Sequence, residues 1–151
     1  MVPAVGLVFL LTPSLCNAKL WYTYDQCVAR WGQPINMDDA SIRALTQVPS
    51  SLTSVTFKFF SDDNCHIIVG FLNGTVCLED IWKKGNATIT NDELVATLKV
   101  ESDGFEWKHD PSSSLWIRAD EKVRVIFPPQ HEHFTIDTQV FFDVYKKSLK
   151  K

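Results

Sequence analysis

The 151-residue chain has no G-x-x-x-x-G-K phosphate loop, no G-x-G-x-x-G fingerprint, no G-x-S-x-G elbow, no C-x-x-C pair and no H-E-x-x-H motif. With them goes sequence support for P-loop hydrolysis, Rossmann redox chemistry, hydrolase-type acyl transfer, dithiol exchange and zinc proteolysis. Gly 6 and Pro 7 are too few for a collagenous or low-complexity chain. Positive charge is short as well: Lys and Arg total 15 against 18 acids, and four of those lysines, Lys146, Lys147, Lys150 and Lys151, crowd the end of the chain as a solvated basic tail over residues 146–151. The body is therefore acidic, which argues against nucleic acid, because phosphates must be met by Lys and Arg. After residue 18 no apolar run approaches the roughly 20 residues that span a bilayer, so no transmembrane anchor is expected in the mature chain.

Residues 1–18 lack any charged side chain. Residues 4–11 form a compact apolar stretch, Pro13 interrupts it, and Cys16-Asn17-Ala18 supplies a small-x-small cleavage pattern. This reads as a removable signal peptide, giving an exported, periplasmic or extracellular protein that begins at Lys19. Acylation of Cys16 is the competing reading, and the bulky Leu15 directly before it fits a lipoprotein site poorly.

Thr23 and Gln26 make a capping box, and Tyr24, Cys27, Val28 and Trp31 recur at i, i+3, i+4 and i+7 before Gly32 and Pro34 end the pattern. The spacing predicts a short amphipathic helix. Residues 35–53 read as a connector with a helical turn from Asp38 to Leu45. From Val55 the apolar period becomes two, giving strands around Val55-Phe57-Phe59, Cys65 to Leu72 and Thr75 to Trp82. Asn73-Gly74 between the last two predicts a two-residue hairpin turn. Counted back from that turn without interruption, Leu72 pairs with Thr75, Gly70 with Cys77 and Cys65 with Trp82. A second capping box, Thr90 with Glu93, opens a helix carrying Leu94, Val95 and Leu98, and strand-like runs follow at 105–108, 115–118, 122–127 and 134–145. The order predicts one α+β domain over residues 19–145. Its expected form is an antiparallel sheet with helices on one face, a candidate tandem of α-β-β-β units.

Cys27-x-x-Arg30-Trp31-Gly32-x-Pro34, the Thr56-Phe57-Lys58 strand, the Phe71-x-Asn73-Gly74 hairpin, the capped Asn91-Asp92-Glu93-Leu94 helix and Trp107 with Trp116 resemble a group of small, uncharacterised exported bacterial proteins, over most of residues 22–142. The helix with its aromatic-Gly-x-Pro end and the following meander, residues 23–82, are similar more distantly to the SmpA/OmlA-type outer-membrane lipoproteins and the β-lactamase-inhibitor-like fold. The first resemblance implies no activity. The second implies a binding module of the cell envelope.

Candidate chemistry is sparse. His131 and His133, two apart on a strand-like segment, would project from one face toward a shared metal position; no third ligand adjoins them, and the plainer reading is a polar loop after Pro128-Pro129. Cys27, Cys65 and Cys77 are an odd number in an exported chain. The hairpin register sets Cys65 and Cys77 far apart and on opposite faces, whereas Cys27 should pack on the Ile67 face with Cys65. Any intramolecular disulfide is then Cys27–Cys65 with Cys77 free, and a fully reduced core is the alternative. Cys65 and His66 point to opposite faces and form no thiol–imidazole pair. The acid pairs Asp38-Asp39, Asp62-Asp63 and Asp92-Glu93 sit at turns or helix starts, where carboxylates are locally favoured. Trp31, Trp82, Trp107 and Trp116 fall on patterned elements and read as core, while Trp21 beside Tyr22 is a staple or an exposed contact. No cofactor is implied. The residues point to an exported, non-enzymatic binding protein whose partner is another envelope protein; the alternative from a different class is a small metal-binding or hydrolytic enzyme centred on His131 and His133.

Overall fold

Asn73 and Gly74 both hold positive φ, 52° and 81°, and the hairpin they close frames the sheet. The structure is a computed structural model describing residues 19–130 and 132–150. The signal-like segment, Cys16 and His131 lie outside the described residues. Strands β1 (Thr56–Ser61), β2 (Cys65–Leu72) and β3 (Thr75–Lys83) form one meander, and β4 (Trp107–Asp110), β5 (Leu115–Arg118), β6 (Val123–Ile126) and β7 (His133–Thr138) a second. They join through β3 and β7 into a single antiparallel sheet of order β1-β2-β3-β7-β6-β5-β4. The α+β class and the antiparallel sheet are those expected.

Each helix starts at a side chain that satisfies an orphan backbone donor. In α1 (Tyr24–Trp31) Thr23 and Gln26 form the capping box, and in α3 (Asn91–Glu101) Thr90 and Glu93 do the same, as their spacing implied. Asp38 caps α2 (Asp39–Thr46), accepting from the Ser41 N–H at 2.9 Å. The Thr138 hydroxyl accepts from the Phe141 N–H at 3.1 Å and opens α4 (Gln139–Ser148). Residues 134–145, read above as a strand-like run, are therefore strand only as far as Thr138. Beyond it Phe141, Val144 and Tyr145 recur at helical spacing and pack on the sheet, and Lys146 and Lys147 fall in the last helical turn.

The helices cover both faces of the sheet, which corrects the one-sided expectation. Cys27 and Trp31 of α1 and Leu94 and Leu98 of α3 pack with Phe60, Ile67, Val69, Ile81, Phe134 and Ile136. Ile42 of α2 and Phe141 of α4 pack with Phe57, Phe59, Ile68 and Leu78 on the other side. The physical reason lies in β2, where Ile67, Ile68 and Val69 are all fully buried. A strand apolar on both faces must be covered twice.

The hairpin register also departs from uninterrupted pairing. Leu72 pairs with Thr75 as expected, but Gly70 pairs with Leu78 and Cys65 with Lys83, because an irregularity at Gly70/Phe71 leaves Cys77 as an extra residue on β3. A bulge inserts one residue without a partner and shifts everything beyond it by one. Gly70 sits where strand and core come close: an added Cβ would lie 3.1 Å from side-chain carbons of both Phe57 and Val55. Among the described residues no helix is long and apolar enough to cross a membrane.

Candidate functional site

The β3–β7 seam carries the polar side chains Asp80, His133 and Thr135 beside Trp82. Registry sets Asp80 opposite Thr135 and Trp82 opposite His133, all four on the face of the sheet that α2 and α4 cover. Above them lies a cleft of about 690 Å³. Its walls are the end of α2 at Leu45, Thr46 and Gln47, the segment Asn86-Ala87-Thr88 that follows β3, and Ile126, Gln130 and Glu132 around the β6–β7 connection. Gln47 ends α2 in the left-handed region, at φ 55°, so the chain turns away and leaves this side of β3 open. A volume of this size suits a small organic ligand or one side chain of a larger partner.

Asp80 defines the electrostatics. It is 8% exposed and accepts one hydrogen bond, from the Thr135 hydroxyl to Oδ1 at 3.1 Å. Burial pushes its carboxyl up to about 6, against the field of His133 and the Thr135 hydrogen bond, which both favour the ionised form. Trp82 is the apolar wall, in an aromatic row with Phe59 and His66 at centroid separations of 6.5 and 6.4 Å. His66 accepts from or donates to the Ser61 hydroxyl through Nδ1 at 3.2 Å, and burial lowers the ring's proton affinity, helped by nearby Lys84. Farther along the seam Arg124 forks onto Asp137 at 2.8 and 2.7 Å while its guanidinium lies 3.5 Å above the Phe142 ring.

Searches against family models, curated proteins and solved structures find no match to this chain.

Of the residues singled out in the sequence, His133 lines the cleft and His131 lies outside the described residues. Among the described residues no three His, Cys, Asp or Glu side chains converge on a position that could hold a metal ion. Cys27 and Cys77 are free and buried, and Cys65 is buried. Cys27 and Cys65 share the apolar cluster beneath α1 and α3, with no disulfide at Cys27, while Cys77 stands on the opposite face with its thiol 3.3 Å from the Gly70 carbonyl. Cys65 and His66 do point apart, the first into that cluster and the second toward Phe59. The acid pairs serve local structure: Asp38 caps α2, Asp62 accepts from the N–H groups of Asn64 and Cys65, and Glu93 closes the α3 capping box.

Sequence reading missed the pair that matters, Glu79-Asp80, and the available signal was its position inside an apolar strand run. Asp80 enters the cleft. Glu79 enters the opposite core, where it is fully buried and neither carboxylate oxygen has a hydrogen-bond partner among the described residues. Burial holds Glu79 well above the ordinary carboxyl range, reinforced by the field of Glu101 and opposed by Arg30. Glu101 itself is raised to about 7 by burial, although the Leu20 N–H and Lys19 favour its charge. That acid pair is enclosed by packing, whereas Asp80 faces open volume.

Proposed function

We propose that this chain is an exported binding protein of the cell envelope whose ligand seats in the β3–β7 cleft. One observation carries the reading: a buried carboxylate, an indole and an imidazole from two hydrogen-bonded strands line a single volume of about 690 Å³. Ligand sites are concave, with an apolar wall and a few convergent polar groups. The strands hold those groups in fixed relative positions, so a ligand meets a floor that is already organised. Export is supported by the apolar stretch and the small-x-small pattern at residues 1–18. The resemblance to exported bacterial proteins agrees with it.

A thermal-shift panel of small amines, acids, sugars and short peptides on the purified mature protein tests the binding claim. Ligands that raise the melting temperature of wild type and fail to do so for Trp82→Leu support it; ligands acting equally on both overturn the assignment of the cleft. Intact mass of the exported protein tests the compartment, with a chain beginning at Lys19 expected. A stoichiometric metal ion lost on replacing His131 and His133 together would instead favour the metal-dependent alternative.

A further inference from the structure

We propose that the cleft is a seat for an alkylammonium group, with Asp80 as its counter-ion and the Trp82 indole covering the carbon chain. The proposal rests on the cleft being the ligand site, and names the chemistry of what enters it.

A carboxylate withdrawn from water is costly unless a cation and hydrogen bonds replace the lost hydration. Asp80 is more than nine-tenths buried, and its hydrogen-bond partner among the described residues is the neutral hydroxyl of Thr135. Lys83 also lines the cleft, and it and the other Lys and Arg side chains nearest the seam are committed to partners of their own. Arg124 is forked onto Asp137, Lys83 reaches Glu93 at 2.9 Å, and Lys84 donates to the Asp62 carbonyl. Among the described residues no Lys or Arg forms an ion pair with Asp80 or with Glu132 on the cleft wall. The fold therefore supplies a desolvated anion and a second negative charge, and leaves their cation to come from outside.

The remaining lining decides what kind of cation. Trp82 stands two residues from Asp80 on the same strand face, about 7 Å along the strand, so a chain of a few methylenes bridges carboxylate and indole. The ring face attracts positive charge and its body covers apolar carbon. An ammonium has three donors to distribute, and the Asp80 carboxylate and the Thr135 oxygen are acceptors on one floor. A carboxylate or phosphate ligand would face Asp80 and Glu132 with like charge, and a wholly apolar one would leave Asp80 unpaired. The shared chemistry is a primary amine on a short alkyl chain, whether a free amine or the side chain of a lysine in a peptide.

The test is calorimetric titration of the mature protein at pH 7.5 with pentylamine, 1,5-diaminopentane, pentanol, pentanoate and an acetylated, amidated tripeptide with central lysine. Amines are expected to bind about tenfold or more tightly than the alcohol or the acid, and Asp80→Asn to weaken them about tenfold. Glu132→Gln on the exposed wall should cost about two- to threefold, and its position outside the core guards against a folding defect in the first variant. Tighter binding of the tripeptide than of the free amines assigns the source to a lysine side chain, and the reverse order to a small amine; both support the proposal. Pentanol or pentanoate binding as well as pentylamine, with dependence on Trp82, overturns the cationic class and leaves the cleft as a binding site. Absence of binding by every probe, or amine binding indifferent to both Asp80 and Trp82, overturns the two together.

Discussion

Glu79 and Asp80 are consecutive on β3 and bury their carboxyl groups on opposite faces of the sheet, Glu79 at 0% and Asp80 at 8% exposure. The first is sealed beneath α1 and α3, and the second opens on a cleft. Their equal chemistry and unequal surroundings separate a cost to stability from a means of recognition.

Glu79→Met should stabilise the protein. The substitution removes two unpaired buried oxygens and keeps a flexible side chain of similar volume, for a gain of roughly 1–3 kcal/mol at pH 8. Urea unfolding measures it. The gain should shrink near pH 4, where the wild-type acid is neutral.

Stability should peak in mildly acidic solution and fall toward neutrality. Glu101 keeps its proton up to about 7 when folded, against an ordinary value of 4.5, so between those values the unfolded chain binds fewer protons and rising pH favours unfolding. The opposite limb comes from Asp103, lowered by its hydrogen bond from Lys19, and Asp120, lowered by Arg118. Their contribution is complete above the unfolded value near 4 and disappears as pH falls below it. Denaturation midpoints from pH 3 to 8 should therefore pass through a maximum at about pH 4.5. In Glu101→Gln the decline toward pH 8 should be reduced, by an amount on the order of 3 kcal/mol.

Gly70→Ala should destabilise by about 1–3 kcal/mol, because the new methyl would press on Phe57 and Val55, both buried in the packed layer. Thermal unfolding of the variant is the measurement. Adding Val55→Ala should recover part of the loss by returning space to the same spot.

The thiols should be silent in the native state. Burial pushes Cys27 and Cys77 up to about 12, with Glu79 adding to the first and Asp137 to the second, and thiolate is the reactive form. Iodoacetamide at pH 8 should label neither until the chain is unfolded, and peptide mapping without reductant should return Cys27 and Cys77 unlinked.

What was legible in the sequence was local. Thr23 with Gln26 and Thr90 with Glu93 announce their helices because a capping box needs only residues three apart, and Asn73-Gly74 announces its turn because few pairs tolerate two positive φ values. The helix after Thr138 was hidden because its cap is also the last residue of β7 and its apolar residues continue a strand-like run. Two-sided cover was hidden by reading β2 as alternating, although Ile67-Ile68-Val69 is continuous. The cleft was out of reach for a different reason. Asp80 and Thr135 are 55 positions apart and meet only because the two meanders join through β3 and β7, a choice of sheet order that no local pattern states.

The extra residue on β3 has a bearing on how this molecule could vary. The tip at Asn73-Gly74 and the seam at Asp80–Thr135 are out of phase by one position, and Cys77 absorbs the difference. Were the same strand paired straight through from the tip, Glu79 would move to the face of Ile68 and Asp80 to that of Ile67, exchanging the enclosed acid with the one that faces the cleft without a single change of composition. Conversely, loss of the codon for Cys77 would let Gly70 meet Leu78 in plain pairing, and the seam would keep its facing. The hairpin tip and the cleft are thus linked through a single residue: a descendant of this gene that sheds the bulge and trims Cys77 together inherits the same carboxylate in the same place, whereas one that sheds the bulge alone does not.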